Sequence, residues 1–510
     1  MSIFSTKSGR VLKSADPGRW QRTSPLAVLF FFGKLLKTIT QNAWQSLAPL
    51  AAFVFAYEGE LVTKVAFGVI GFFAIATIVS VLNYWFFRYQ LNDDSILIRQ
   101  GILKKKQLDI KFDRIQGINT QQNIVYRYFG LVTVQFDTAG SAGNEGNLPA
   151  VTRQFADSLR SRIGDRPGSG AVDAQSSDAD PLVRLDWRDM IRIGIADRRA
   201  LVVLAVLGPV SERFGDKVDT VIASYAEDAA TGLLQFGVVT GVIIGLAIAF
   251  GLVVILAMIS VAAAFLRYHN FELFLNENTL RSLGGLLTQH EMSMHLGKIQ
   301  TLRLEQGIVM RSLDRYRLTA RQARSSHKQD KLKNFIVPVV TAAQANHLRE
   351  LLMAPEGDAL MQIPTSDEFA AISPYYMRSR ILFVGLIPTI VGTAFFWQLA
   401  GPVSLGILLW LPASILLAYQ SWRRAGYLCS EEGFVRRSGV IGYRSVALLY
   451  RKVQRVTVTE SRYQRRKGLA SVRVYMASGS VRIPYIEHAT AKQLRDYILY
   501  KVESSQQAWH

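Results

Sequence analysis

The chain has 510 residues, 49% of them hydrophobic and 19% charged, and its lysines and arginines give a net charge of +20. So basic a chain calls for an anionic counterpart. Because the chain is also strongly apolar, this composition favours the anionic headgroups of a membrane over nucleic acid. A single cysteine excludes an intramolecular disulfide framework.

The N-terminal part of the chain combines a basic tail with two long uncharged runs. Residues 1–23 hold five basic side chains against one acidic one. Residues 38–57 and 65–87 contain no charged side chain, and a membrane-spanning helix needs about 20 such residues. We therefore predict a tail at 1–23 and a first membrane hairpin at 24–87.

Two further membrane hairpins are predicted, at residues 186–267 and 374–422. The last one is divided at Gly401-Pro402 into two halves, each long enough to cross the bilayer. In the middle one, residues 229–266 can cross, but the other arm holds only the 12 apolar residues 200–211. We count that arm as a crossing because repeated modules that bind the same kind of ligand should lie on one side of the membrane, which requires an even number of spans between them.

The orientation of the chain follows from its charge distribution. The connection at residues 211–232 has five acidic side chains and two basic ones, whereas the tail and the segments after each hairpin are rich in lysine and arginine. Basic segments remain in the cytoplasm. We expect the modules and both termini to be cytoplasmic.

A block of sequence recurs three times, which defines module 1 (residues 88–165), module 2 (268–353) and module 3 (423–503). Adding 184 or 338 to a residue number in the first block gives its counterpart in the second or third. Gly101, Gly285 and Gly439 coincide in this way. Repetition of this length indicates duplication of one folding unit. The linkers at 166–185 and 354–373 are predicted to be flexible tethers.

Within each module the apolar pattern changes from that of strands to that of a helix. Val132, Val134 and Phe136 alternate with polar residues, which is typical of a half-buried β-strand. Near the end of the module, Phe155, Leu159 and Ile163 are spaced by four residues, as on one face of a helix. The sequence thus predicts membrane α-helical hairpins plus three β-rich modules, each closed by a C-terminal helix.

A basic-aliphatic-Gln triplet occurs in all three copies, and Gly130-Leu131 and Gly468-Leu469 precede valine-rich strands. With these features the chain resembles the bacterial pleckstrin-homology-like (PH-like) membrane family of the YdbT type. The resemblance implies a seven-stranded PH-like barrel capped by a helix in each module, within a bacterial inner-membrane protein. It implies no particular ligand or reaction.

The candidate binding residues are basic, and each has a simpler structural interpretation. A lysine cluster follows Gly101, where it could hold phosphate headgroups or form a solvated turn. The triplet could be a contact surface, or its aliphatic residue could be core. A later basic run could face lipid or a partner, or could reflect the general basic bias of cytoplasmic segments. The candidates are Lys104, Lys105, Lys106, Arg114, Lys298, Arg444, Lys452, Arg465, Arg466 and Lys467.

No sequence motif points to catalysis. The chain has no Gly-Lys-Ser/Thr phosphate loop, Gly-x-Ser-x-Gly elbow or Gly-x-Gly-x-x-Gly turn, and His290 and His295 have no further ligands to complete a metal set. We therefore predict no enzyme, cofactor or metal. The leading hypothesis is a binding or scaffold protein for envelope maintenance, whose partners are membrane lipids and either another protein or a second copy of the chain. The alternative is a transport or channel component gated by the modules.

Overall fold

The computed structural model describes residues 18–41, 61–138, 146–164, 180–196, 247, 250–322, 334–353 and 368–504, except for positions 103, 252 and 277. Most of the expected crossing at 38–57, the short arm at 200–211 and the acidic connection at 211–232 lie outside the described residues. So do residues 1–17 of the tail and the first parts of both linkers, 166–179 and 354–367.

Each module has six main strands, a short helix after the fourth strand (the turn helix) and a C-terminal helix (the closing helix). The turn helices are Ile124–Tyr128, Ile308–Ser312 and Arg462–Arg466, and the closing helices are Arg153–Gly164, Ala342–Met353 and His488–Ser504. In module 1 the strands are β1 (Arg88–Leu91), β2 (Ser95–Gln100), β3 (Lys106–Lys111), β4 (Ile115–Asn123), β5 (Leu131–Thr138) and β6 (Asn147–Thr152).

The other two modules repeat this order. After the short strand β7 (Val183–Arg184), module 2 has β8 (Glu272–Asn276), β9 (Thr279–Gly284), β10 (Thr288–His295), β11 (Ile299–Gln306), β12 (Tyr316–Gln322) and β13 (Asn334–Val340). After β14 (Ala370–Ala371), module 3 has β15 (Gly426–Cys429), β16 (Gly433–Ser438), β17 (Tyr443–Leu449), β18 (Val453–Thr459), β19 (Leu469–Met476) and β20 (Gly479–Glu487).

The three coincident glycines end the second strand of each module because the turn there requires a backbone that other residues adopt poorly. Gly101, Gly285 and Gly439 have φ of +103°, +115° and +151°. A Cβ at any of them would also overlap the carbonyl of the residue three positions on. The same turn is thus built three times.

The closed seven-stranded barrel implied by the resemblance is not what the described strands form. Instead, β4 pairs with β10 and β11 pairs with β17, which creates two seven-stranded sheets in the orders β6-β5-β4-β10-β9-β8-β7 and β13-β12-β11-β17-β16-β15-β14. A 3-10 turn between the third and fourth strands sends the two halves of each module into different sheets. The backbone groups that would close a barrel therefore bond to the neighbouring module.

Each shared sheet lies between the cores of two modules. On β11, Leu302 and Leu304 contribute to the core of module 2, while Val446 and Leu448 of β17 contribute to the core of module 3. The closing helices cover these cores with buried residues such as Leu159, Leu348 and Leu494. We call the β4·β10 contact junction 1 and the β11·β17 contact junction 2.

Residues near the ends of both predicted tethers form short β-strands. Val183–Arg184 pairs with β8 and Ala370–Ala371 with β15, and Gln21 forms an equivalent single bridge to Tyr89 of β1. The segment that precedes each predicted membrane hairpin is therefore attached to the first strand of the module that follows.

Among the described residues, two helices are long and apolar enough to cross a membrane, Tyr375–Gln398 and Ser404–Arg423, and both belong to the third predicted hairpin. Shorter apolar stretches lie at the other two hairpins: Ala27–Leu36 in the helix Ala27–Gln41, Ile70–Phe86 in the helix Leu61–Phe86, and Val253–Tyr268. In the first long helix, Ile381–Leu386 forms a π-helical segment.

Candidate functional site

A cavity of about 630 Å³ lies where junction 2 meets the third hairpin. Its floor comes from the end of β11 and from the β16–β17 loop, and its wall comes from both helices of the hairpin. Its lining includes three arginines and, among the described residues, one carboxylate: Arg317, Arg380, Arg444 and Glu305. The site therefore has an excess of positive charge.

Strand register places these charges in a row. Glu305 of β11 lies directly opposite Arg317 of β12 on one side and Arg444 of β17 on the other. Arg444 Nε is 2.8 Å from Glu305 Oε1, and Arg303 Nη1 is 3.6 Å from the same oxygen. The carboxylate of Glu305 is thus shared by the guanidinium groups of Arg444 and Arg303.

The pKa values of two further arginines, Arg436 and Arg303, are affected by the arginines of this row. Burial lowers the pKa of Arg436, and the nearby Arg444, Arg482 and Arg303 lower it further. Burial also lowers the pKa of Arg303, although Glu305 partly opposes the shift. Burial is the largest cause of both lowered pKa values, and repulsion from neighbouring arginines adds to it. A bound anion would relieve this repulsion.

The wall of the cavity is apolar and contains the π-helical segment. Val384 lies in that segment, and its carbonyl accepts a hydrogen bond of 2.9 Å from Trp410 Nε1 of the opposite helix. Leu417 and Ala418 continue the wall. Arg380 lies at the end of the wall near the modules, where it donates to Tyr376 Oη at 3.1 Å and also to Ser421 Oγ.

This combination suits an amphiphilic anion. Guanidinium groups bind phosphate through paired, charge-assisted hydrogen bonds, and the apolar wall can accept the hydrocarbon that adjoins a phospholipid headgroup. No group of three or more His, Cys, Asp or Glu side chains within the described ranges could hold a metal ion.

Of the ten predicted binding residues, the structure places only Arg444 in this cavity. Lys452 is buried, and its Nζ donates to the Gly297 carbonyl of module 2 at 2.7 Å. Burial, followed by the charge of Arg451, lowers the pKa of Lys452 to about 8. Lys452 therefore acts as a contact between modules.

The other predicted residues are spread over the surface. Lys104, Lys105 and Lys106 are exposed around the β2–β3 loop, and Lys106 is close enough to Lys34 of the first hairpin for the two charges to interact. Arg114 is exposed and Lys298 half-buried at equivalent 3-10 turns. The remaining three are exposed on or beside the third turn helix, where Lys467 lies over the Tyr375 ring at the start of the third hairpin: Arg465, Arg466 and Lys467.

Sequence reasoning missed Glu305, Arg303, Arg380 and Arg436. The alternation of Arg303 and Glu305 with buried leucines indicates a strand with one charged face, but does not indicate that another module and a membrane helix cover it. Arg317 belongs to the long basic run of module 2, which contains no feature that distinguishes it from its neighbours.

Three copies of one β-rich unit beside apolar helices define a membrane-associated protein built from PH-like modules. A family model described as "Bacterial PH domain" matches residues 45–167, 221–355 and 381–502. The chain belongs to the bacterial PH domain family, as the sequence features predicted. It is also similar to the UPF0699 transmembrane protein YdbT of Bacillus subtilis (strain 168), with 23% identity over 446 residues that cover 82% of this chain and 84% of the relative.

Proposed function

We propose that this protein is a multi-pass inner-membrane protein that binds anionic phospholipid at the cytoplasmic surface, as a non-catalytic binding or scaffold protein. The observation that carries the proposal is the cavity beneath the third hairpin, in which Arg317, Arg380 and Arg444 outnumber Glu305 next to an apolar wall. The headgroup phosphate would bind the arginines, and the adjoining acyl chains would lie along the helices.

Exposed apolar side chains near the predicted membrane surface support this orientation. Phe129 follows the first turn helix and is 54% exposed, Ile308 opens the second and is 52% exposed, and Leu287 of the β9–β10 loop is 46% exposed. The backbone of that loop bonds to the end of the apolar helix Val253–Tyr268, through Leu286 N and the Leu266 carbonyl at 2.9 Å. Insertion of such side chains into the headgroup layer would hold the modules against the bilayer.

Lipid retention by the full chain tests the binding site. The chain would be purified from membranes in mild detergent, and bound phosphatidylglycerol would be quantified by mass spectrometry. We expect the double variant Arg317→Gln/Arg444→Gln to retain several-fold less of it. The control Arg466→Gln/Lys492→Gln, with the same charge change at exposed positions, should match the unmodified chain. Equal retention by both double variants would remove the proposal.

Two further measurements distinguish binding of a phospholipid from binding of free phosphate. Excess inorganic phosphate should not displace the retained lipid, because it makes no contact with the apolar wall. Replacement of phosphatidylglycerol by phosphatidylcholine during reconstitution should reduce binding. Displacement by phosphate would show instead that the cavity is a site for small anions.

The single cysteine offers a test of orientation in the unmodified chain. Cys429 is exposed at the end of β15 in module 3. A membrane-permeant maleimide should label it in intact cells, and an impermeant maleimide should label it only after the inner membrane is opened. Labelling of intact spheroplasts by the impermeant reagent would place module 3 outside.

A second candidate function is that of a transport component, and the π-helical segment in the third hairpin favours it because such segments occur often at functional sites. Solute flux in proteoliposomes, altered by substitution of Gly385, would support transport. An absence of flux together with retained lipid would leave the binding function alone.

A further inference from the structure

The two internal junctions share one strand register. At junction 1, Thr120 lies opposite Glu291. The residues that correspond to them in the next module are Leu304 and Ser445, and these lie opposite each other at junction 2. Three of the four pairs of junction 1 map onto pairs of junction 2 in this way. The same strand pairing therefore joins module 1 to module 2 and module 2 to module 3.

The turn helix reinforces each junction with the same arginine. Arg127 Nη2 donates to the Leu286 carbonyl of the next module at 3.3 Å, and its counterpart Arg311 Nη1 donates to the Ile441 carbonyl at 3.2 Å. Both acceptors lie in the loop between the second and third strands of the following module. The third counterpart is Arg465.

The closing helix supplies a second arginine to each junction. Arg160 Nη1 is 2.7 Å from Glu291 Oε1 of module 2, and Arg349, from the same repeated Leu-Arg pair, is 2% exposed near Tyr443 of module 3. The third counterpart, Arg495, lies on module 3, and its side chain is 38% exposed. Only in module 3 is this arginine so accessible.

The two ends of the molecule carry the same elements without a neighbouring module. β3 and β18 are edge strands in the part of the chain that the structure describes, whereas their counterparts β10, β17, β4 and β11 all pair across junctions. β3 exposes Lys106, Gln107 and Asp109, and neither strand contains the proline that often protects an edge. Arg465 is 78% exposed beside β18.

We propose that β18 of one chain pairs with β3 of a second copy, in the register of the internal junctions, so that the protein assembles head to tail. If β18 and β3 pair in the register of the internal junctions, Val458 lies opposite Gln107 and Val456 lies opposite Asp109. Arg465 would then donate to the β2–β3 loop of the second copy. Arg495, which pairs with Asp496 within module 3, would lie beside Gln107, the counterpart of Glu291, with Asp109 next to it on the same face of β3.

The sidedness of the strands agrees with this register. Val456 and Val458 pack against the core of module 3, and Leu108 and Ile110 contribute to the core of module 1. In the proposed register these two sets point to opposite faces of the new sheet, as Leu304 and Val446 do at junction 2. A slip of one residue would place both sets on the same face of the new sheet, so that the two cores would occupy the same side.

This arrangement is also compatible with a single membrane. The predicted topology has an even number of spans between successive modules, so a further copy added by the same rule would keep its hairpins on the same side. Because the contact joins two different surfaces, it closes into a ring or continues as a linear array.

Disulfide crosslinking in native membranes tests the register with the full chain. In a Cys429→Ser background, Lys106→Cys and Thr459→Cys lie opposite each other in the proposed pairing, close enough for a disulfide. Cells that co-express the two single variants should yield a crosslinked dimer under mild oxidation, and each variant alone should not. One chain with both cysteines should yield a ladder.

The matched control combines Lys106→Cys with Glu460→Cys, which shifts one cysteine to the opposite face and should yield little crosslink. The double variant Arg465→Ala/Arg495→Ala should reduce the ladder several-fold, whereas Arg466→Ala should not. Equal crosslinking at 459 and 460, monomers throughout, or crosslinks only to a different protein would each overturn the proposal.

Discussion

Junctions 1 and 2 have the same register but differ in how far their arginines are neutralised. At junction 1, Glu291 is 10% exposed and pairs with Arg160 at 2.7 Å and Arg281 at 2.9 Å, around a void of about 20 Å³. At junction 2, Ser445 takes the place of Glu291, and the arginines face a cavity of about 630 Å³. One scaffold thus neutralises its charge internally at one junction and leaves it available to a ligand at the other.

The largest effect is expected where the charge is buried and balanced. Glu291→Gln would leave Arg281 without this counter-charge and Arg160 with only Asp157 at 3.5 Å. Breaking a buried pair in this way costs on the order of 3 kcal/mol of folding stability. We expect thermal unfolding of the full chain in detergent to begin several degrees lower. The control Glu272→Gln removes a carboxylate that pairs at 3.4 Å with Arg184, whose side chain is 74% exposed, and should change little.

The same carboxylate gives junction 1 a distinct pH dependence. Burial opposes the charged form of Glu291, but Arg160, Arg281 and Thr120 together outweigh burial and hold its pKa below the usual value. The stabilisation is therefore present above the pKa of an unfolded glutamate and is lost as pH falls through the lower, folded pKa. Glu291→Gln should remove this loss; an unchanged acid transition would contradict the assignment.

At junction 2 the pH dependence of stability should come from a basic group, Lys452, rather than from a carboxylate. Burial, followed by the charge of Arg451, lowers the pKa of Lys452 from the usual 10.5 of a lysine to about 8, so the folded state disfavours the charged amine. Stability should therefore rise as pH increases from about 8 to about 10.5, where the unfolded state binds more protons than the folded state. Lys452→Met should flatten this rise in unfolding experiments, and Lys492→Met, at an exposed position, should leave it intact.

Much of this architecture could be predicted from the sequence, because it depends on local patterns. The repeat, the alternating strands, the closing helices and the turns at Gly101, Gly285 and Gly439 all follow from spacing and residue type. The resemblance to the bacterial PH-like family was confirmed by the family match. These features involve residues that are close together in the chain.

The contacts between modules could not be predicted, because edge pairing joins residues far apart in sequence. No sequence pattern distinguishes Arg160 or Glu291 from other charged residues of the modules. Their pairing depends on β4 meeting β10, which no periodicity specifies. For the same reason Lys452 was grouped with lipid-binding residues, although the neighbouring module buries it.

Removing the carboxylate of junction 2 should strengthen binding rather than weaken the fold. Glu305 is 26% exposed and pairs with the more exposed Arg444, so Glu305→Gln leaves arginines that a ligand can still neutralise. A charge near an anionic surface contributes about 1 kcal/mol, which corresponds to about fivefold more phosphatidylglycerol retained. Glu431→Gln, at a site 80% exposed, is the control, and equal retention by both variants would show that Glu305 does not face the bound lipid.

The smallest effect concerns the wall of the cavity. Trp410→Phe removes the hydrogen bond to the Val384 carbonyl in the π-helical segment and keeps an aromatic ring in the wall. A bond of this kind contributes about 1 kcal/mol, so we expect faster amide hydrogen exchange in residues 381–386 and only a small change in lipid retention. Trp422→Phe removes the similar bond to the Ile372 carbonyl outside the cavity and should leave exchange in that segment unchanged. If both variants raised exchange there equally, the indole of Trp410 would have no specific role in holding the π-helical segment beside junction 2.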